Sequence, residues 1–257
     1  MKTEMKTKQF CIKGKTFGTG RPLICLPVTK KVKSEIIEEI ARLVELHADV
    51  IEWRVDAYEE ARNLNAIRQL LREVEPIVKD TPFLYTFRSK MQGGLLELSE
   101  EEAYDIRLVG AETKIPDLID LEFFAVDNLA KEIKQIQELG RKVITSHHDF
   151  NQTPDTKVME MILSQMRENG ADIVKLAVMP NQAADVIRLL EVTEDFHKRF
   201  PDSLLITMSM GDLGKVSRIT GEVFGSCMTF GSAGEASAPG QIELEQLSKM
   251  LEILSVE

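Results

Sequence analysis

The run Asp172-Ile173-Val174-Lys175-Leu176-Ala177-Val178 is short, apolar and rich in β-branched residues, with one cation at its centre. Gly170 precedes it and Pro180 follows, so it reads as a strand buried on both faces, as parallel strands are. Working outward, runs of the same character recur at Leu23–Val28, Val50–Asp56, Phe83–Ser89, Leu118–Phe123, Lys142–His148, Leu204–Met210 and Ser226–Ser232, eight in all with the first. Between them lie amphipathic stretches. Ile36, Ile37, Ile40, Leu43 and Val44 share a helical face, as do Ile67, Leu70, Leu71, Val74 and Val78. Leu129, Ile133, Ile136 and Leu139 repeat the pattern, as do Val186, Leu189, Leu190 and Phe196, and finally Leu244, Leu247, Leu251 and Leu254. Glu100–Gly110 is the weakest unit, because its apolar period is short and its charge high. Gly140 and Gly170 sit where glycines end helices.

Strands alternating with helices predict a parallel sheet, and eight repeats with nothing left over predict closure into a (β/α)8 barrel, a TIM barrel. The 257 residues suit one such barrel, so a single catalytic domain is expected over 1–257. An open doubly wound sheet would carry a glycine-rich turn after its first strand, but Pro27-Val28-Thr29-Lys30-Lys31 has no glycine. The segment Gln9–Arg21, with Gly14, Gly18 and Gly20, is expected to be a β-hairpin that closes the N-terminal end of the barrel.

Composition narrows the function classes. Hydrophobic residues are 43% and charged ones 29%, ordinary for a globular protein. A formal charge of −10 without a Lys/Arg run argues against nucleic acid as a partner. Cys11, Cys25 and Cys227 are few and widely spaced, so buried free thiols in a reducing compartment are expected. Met1 to Phe10 is polar and reads as no signal peptide, and no apolar run reaches the length of a membrane span. These readings make cytoplasm the expected location.

In a barrel of this kind, chemistry sits at the C-terminal ends of the strands. Those positions carry Glu52 and Arg54, Arg88, His147-His148-Asp149 and Lys175, with Arg218 after the seventh strand and Ser237 and Gln241 after the eighth. Lys175, between apolar neighbours, either snorkels out or pairs with a buried carboxylate, or else acts as a Schiff-base nucleophile. An amine near its ordinary pKa is less than about 0.1% neutral at pH 7, so imine chemistry requires burial or nearby cations to depress it. His148 suits a general acid/base, although alternation alone does not choose between it and His147. Three arginines at one mouth point to an anionic substrate. Trp53 and the Met208/Met210 pair read as packing, and Ser232–Gly240 reads as a mobile lid or a plain surface loop.

Several segments together resemble the type I 3-dehydroquinate dehydratases: Glu52-Trp53-Arg54-Val55-Asp56, Phe87-Arg88-Ser89, His148-Asp149-Phe150, Lys175-Leu176-Ala177-Val178-Met179-Pro180, Thr207-Met208-Ser209-Met210, Phe230-Gly231 and Ser237-Ala238-Pro239-Gly240-Gln241. They occur in the family's order over nearly the whole chain. The resemblance implies a shikimate-pathway hydro-lyase that converts 3-dehydroquinate into 3-dehydroshikimate, a homodimer with no metal or organic cofactor. It implies Lys175 as the imine-forming residue and His148 as the acid/base of a syn elimination. Glu52, Arg54 and Arg88 would orient the ring and its hydroxyls, Arg218 would hold the carboxylate, and Ser237 and Gln241 would close over the substrate. Two positions depart. Gln92, in Lys90-Met91-Gln92-Gly93-Gly94, stands where the family usually has a glutamate beside the histidine, and Pro27 stands where some members have a serine. Two other readings compete: a class I aldolase-type barrel with phosphate at Gly211-Asp212-Leu213-Gly214-Lys215, and a degenerate barrel kept for binding.

Overall fold

The computed structural model describes residues 8–234 and 236–256. Most of the N-terminal stretch read for a leader, and Glu235 of the lid segment, therefore lie outside the described residues. The eight barrel strands are β1 (Leu23–Val28), β2 (Val50–Arg54), β3 (Phe83–Thr86), β4 (Leu118–Glu122), β5 (Lys142–Asp149), β6 (Ile173–Val178), β7 (Leu204–Ser209) and β8 (Met228–Phe230). They pair in parallel in chain order, with β8 beside β1. A parallel bridge between Leu205 and Ser226, just before β8, joins β7 to the other edge. There the Cys227 N–H donates to Leu205 O at 2.8 Å and the Leu23 N–H to Cys227 O at 3.1 Å. This is the predicted (β/α)8 barrel.

The helices are α1 (Lys33–Glu45), α2 (Leu64–Val74), α3 (Glu100–Thr113), α4 (Leu129–Glu138), α5 (Thr156–Glu168), α6 (Ala183–Arg199), α7 (Lys215–Ile219), α8 (Gly221–Phe224) and α9 (Leu244–Leu254). None is long and apolar enough to cross a membrane. Their apolar stripes pack on the outward-facing strand residues, such as Ile51, Trp53, Tyr85, Ile119, Val174 and Leu176. Trp53 is wholly buried in edge contact with Tyr85, so its reading as packing holds. The weak segment at Glu100 is a full helix. Its start is secured by a capping box, in which Ser99 and Glu102 satisfy each other's backbone N–H, rather than by periodicity. Its buried face is spent partly on Arg107, which pairs with Glu132, and on Gly110, where an added Cβ would lie 2.6 Å from the Tyr85 ring.

The inward-facing residues form a second core. Leu23, Val50, Leu84, Leu118, Ile144, Ile173, Leu204 and Met228 make an apolar tier near the strand N-termini, closed below by Phe17. Phe17 belongs to the expected hairpin (Phe10–Ile12 with Lys15–Phe17), and its ring stacks on Phe10 at 4.9 Å. Three expectations need correction. Cys11 is exposed on the outer side of this hairpin, so only Cys25 and Cys227 are buried thiols. Strands β2, β3 and β8 are shorter than their apolar runs, β4, β6 and β7 are each one residue shorter, and β5 is one residue longer. The runs overshoot because the chain leaves the ladder at the rim, where side chains replace strand partners: the N–H groups of Arg88 and Leu95 donate to the Asp56 carboxylate.

The plug makes a stability prediction. Phe17→Ala should cost about 3–5 kcal/mol, typical of a truncated core aromatic, measured by urea unfolding. Turnover of the folded protein should be unchanged, because the strand C-termini are at the other end. A variant as stable as the parent would show that the hairpin does not close the barrel.

Candidate active site

Period-two alternation stacks two tiers of polar side chains above the apolar one. Glu52, Thr86, Asp120, Ser146 and Lys175 follow directly on β2 to β6, and Arg54, Arg88, Glu122 and His148 stand one step nearer the rim. Glu52, Arg54, Arg88, Gln92, His148, Lys175, Arg218, Ser237 and Gln241 line one cavity with the apolar side chains Phe150, Ala177, Met208, Met210 and Phe230. Every residue singled out in the sequence as catalytic or substrate-binding is in that lining. The two methionines are core residues that also form the cavity wall.

Lys175 is 3% exposed, and its Nζ lies 4.0 Å from the centroid of the Phe230 ring. Among the described residues it has no hydrogen-bond acceptor and no ion pair. Burial pushes its pKa down; Glu52 and Asp120 pull it back up, and Arg88 lowers it again. Desolvation, ahead of any single charged neighbour, is thus what lowers the proton affinity of the amine. The arginines differ in kind. Arg54 makes two 2.8 Å bonds to Asp56. Arg88 is held by Asp120 at 2.9 Å and Glu122 at 3.1 Å, with Ser146 Oγ accepting at 2.8 Å. Among the described residues Arg218 has no carboxylate partner. There it donates to Phe230 O, Pro239 O and the Met208 sulfur, its Nε is unsatisfied, and burial lowers its pKa to about 10. An uncompensated buried guanidinium is a seat for an anion.

His148 projects inward and His147 outward, where it meets Phe124 edge-on at 4.8 Å; this resolves the choice that alternation left open. Gln92 Oε1 accepts the His148 backbone N–H at 2.9 Å and faces its Nδ1 at 3.1 Å. A backbone N–H only donates, so the amide oxygen must face it. The same oxygen then requires a hydrogen on Nδ1, leaving the Nε2 lone pair for the cavity. Burial, then Arg88, Lys175 and Arg54, hold His148 well below the ordinary imidazole range, so at neutral pH it is a base.

The Gln92 turn exists because of two glycines. Gly93 has φ +83° and packs where a Cβ would sit 2.7 Å from the Phe150 ring, while a Cβ on Gly94 would lie 1.9 Å from Arg88 O. Across the mouth, Gln241 and Ser237 bond each other, with the Ser237 N–H donating to Gln241 Oε1 at 2.8 Å. Their loop is tied down at Pro239 O, which accepts from Arg218 and from Gly211 N–H. The Gly211–Lys215 loop weighed as a phosphate seat is closed by its own contacts: Gly214 N–H donates to Gly211 O, and Lys215 pairs with Asp212. Sequence reasoning missed Asp120, Glu122 and Ser146. Their signal was present in Leu118-Ile119-Asp120-Leu121-Glu122, where carboxylates alternate with aliphatics on the inward parity.

Fold and site together define a barrel enzyme class with a buried amine, an imidazole base and an anion seat in one enclosed cavity. The type I 3-dehydroquinase family model matches residues 24–257. The 3-dehydroquinate dehydratase of Clostridium botulinum is 41% identical over 245 residues, 95% of this chain and 96% of that one. That of Klebsiella pneumoniae is 41% identical over 250 residues, 97% and 100%. A crystal structure of the type I enzyme from Clostridium difficile with covalently modified comenic acid superposes with TM-score 0.92 at 40% identity, covering 96% of this chain and 98% of that one. The chain belongs to the type I 3-dehydroquinase family.

Gln92→Glu tests the imidazole's environment. A carboxylate against Nδ1–H favours imidazolium, so the His148 pKa rises and the acid limb of the pH–rate profile moves to higher pH. An unmoved limb with unchanged turnover would show that the amide already does all that a carboxylate could.

Proposed function

We propose that this chain dehydrates 3-dehydroquinate to 3-dehydroshikimate through an imine on Lys175. The observation that carries the reading is a buried amine with no acceptor among the described residues, sharing a cavity with a histidine whose Nε2 lone pair is free. Lys175 gives up a proton and its neutral amine attacks the ring ketone; the carbinolamine then takes a proton back and loses water to give an iminium. His148 Nε2 removes the C2 proton, and the electron pair moves into the iminium to form an enamine. The enamine pushes out the C1 hydroxyl, which leaves as water with the proton returned from His148. Hydrolysis of the conjugated imine then releases product and restores the amine. A base placed in this way contributes about 10²–10⁴ in rate.

Arg218 is the seat for the substrate carboxylate, because Arg54 and Arg88 are already matched by acidic side chains. Those two arginines, with Glu52, orient ring and hydroxyls, and Ser237 with Gln241 covers the ligand. A small anion is the only partner this site needs. As implied by the family resemblance, the enzyme is a cytoplasmic homodimer in the shikimate pathway that uses no metal or organic cofactor, and its −10 formal charge weighs against nucleic acid.

Borohydride reduction with 3-dehydroquinate should leave a mass adduct on Lys175 that is absent from Lys175→Ala, alongside the ultraviolet absorbance of an enone product in the unreduced reaction. No adduct and no enone would sink the assignment. Arg218→Gln removes a charged bond worth roughly 1.5–3 kcal/mol to ground and transition states alike. It should therefore raise KM by about 10- to 150-fold with little change in kcat. A loss confined to kcat would place the carboxylate elsewhere.

A further inference from the structure

Asp120 is fully buried, and its two oxygens are treated differently. Oδ1 accepts Arg88 Nη2 at 2.9 Å and Ser146 Oγ at 2.7 Å. Oδ2 is buried with no hydrogen-bond partner. An orphaned carboxylate oxygen in the interior is costly and asks for an explanation. Lys175 Nζ is the complementary case, a donor with no acceptor. Strand parity turns both side chains into the barrel, with only β5 between their strands. Across it, Ser146 is in register with Lys175 and donates its hydroxyl to Asp120 Oδ1.

The other groups facing this space are Cys25 on β1, Glu52 and Arg54 on β2, Arg88 just after β3, Glu122 on β4, His148 on β5 and Arg218 from α7, while β7 and β8 present Ile206, Met208 and Phe230. Glu52 attracts the amine more strongly than Asp120 does. Its carboxylate lines the cavity, however, where substrate hydroxyls compete for it, and Thr86 already donates to one oxygen at 2.8 Å. Asp120 stands behind the cavity lining, out of a ligand's reach.

We propose that Asp120 is the counter-ion of the Lys175 nitrogen, its free Oδ2 holding first the ammonium and then the protonated imine. The proposal rests on the imine reading above. Ammonium plus ketone gives iminium plus water, two of the nitrogen's protons leaving with the carbonyl oxygen, so the nitrogen carries the same charge before and after and one fixed anion serves both states. An imine withdraws electrons from C2 only while it is protonated, and a buried anion keeps it so. Asp120 is thus a positioning residue that acts through Lys175.

The test compares Asp120→Asn with Glu122→Gln, which removes the other Arg88 carboxylate but leaves the lysine's tier intact. Borohydride adduct formation with 3-dehydroquinate is followed against pH beside kcat. In Asp120→Asn the adduct midpoint should fall by about one pH unit, while kcat falls about tenfold, the factor one unit of proton affinity represents. Glu122→Gln should leave the midpoint in place. Equal losses in both variants with an unmoved midpoint overturn the proposal and reduce Asp120 to an anchor for Arg88. Should Asp120→Asn not fold, carbon-13 NMR of the wild-type aspartate carboxyls replaces it. The Asp120 carbon, identified by its displacement in Ser146→Ala, should follow the Lys175 titration, and a flat signal overturns the proposal. A wild-type enzyme that forms no adduct at any pH would instead defeat the imine reading itself.

Discussion

Charge inside a closed sheet must be balanced, because the barrel wall excludes the water that would otherwise solvate it, and this governs the whole upper half of the molecule. Arg54 is matched by Asp56 and Arg88 by Asp120 and Glu122. Such pairs contribute little to stability, since their desolvation offsets their attraction, but breaking one would strand a buried charge. Against this background two cations stand out as unmatched. Lys175 and Arg218 are both deeply buried and have no carboxylate partner among the described residues. Neither is tied into an ion pair of the kind that holds Arg54 and Arg88, so both stay open to a ligand.

The rim turns that same economy of charge into geometry. Asp56 grips Arg54 with both oxygens and also accepts two backbone N–H groups from the loop after β3, so one carboxylate orients an arginine and folds the turn beside it. That loop then delivers Gln92 to His148 through a Gly93-Gly94 turn that no side chain could enter. Gln92 determines which imidazole nitrogen carries the hydrogen, yet supplies no charge to imidazolium. The base of this active site is therefore directed by hydrogen bonding alone, while burial and its cationic neighbours keep it neutral.

Arg218 links the anion seat to the cover. Its guanidinium donates to Pro239 O in the loop that carries Ser237 and Gln241, so the group proposed to receive the carboxylate also holds the segment lying over it. Gly240 lies so close to Gly211 that an added Cβ would come within 2.3 Å of its carbonyl oxygen, which fastens the two mouth loops together. Occupation of the seat and the position of the cover are in this way decided by one side chain.

Much of this was legible in the chain itself. The number and order of strands and the inward direction of Glu52, Arg54 and Lys175 follow from periodicity and from where polar residues interrupt apolar runs, because side-chain direction along a strand alternates and needs no tertiary information. Arg218, Ser237 and Gln241 are legible through loop position and the family resemblance. The helix at Glu100 was obscured because its start depends on a capping box and its buried face includes Arg107. What only the folded barrel decided is the pairing of charges. Three arginines at one mouth look alike in sequence, and it is closure of the sheet that brings Asp120 and Glu122 to Arg88, leaves Arg218 free, and turns His148 rather than His147 inward. Those outcomes depend on distances across the barrel between residues far apart in the chain, which no local pattern encodes.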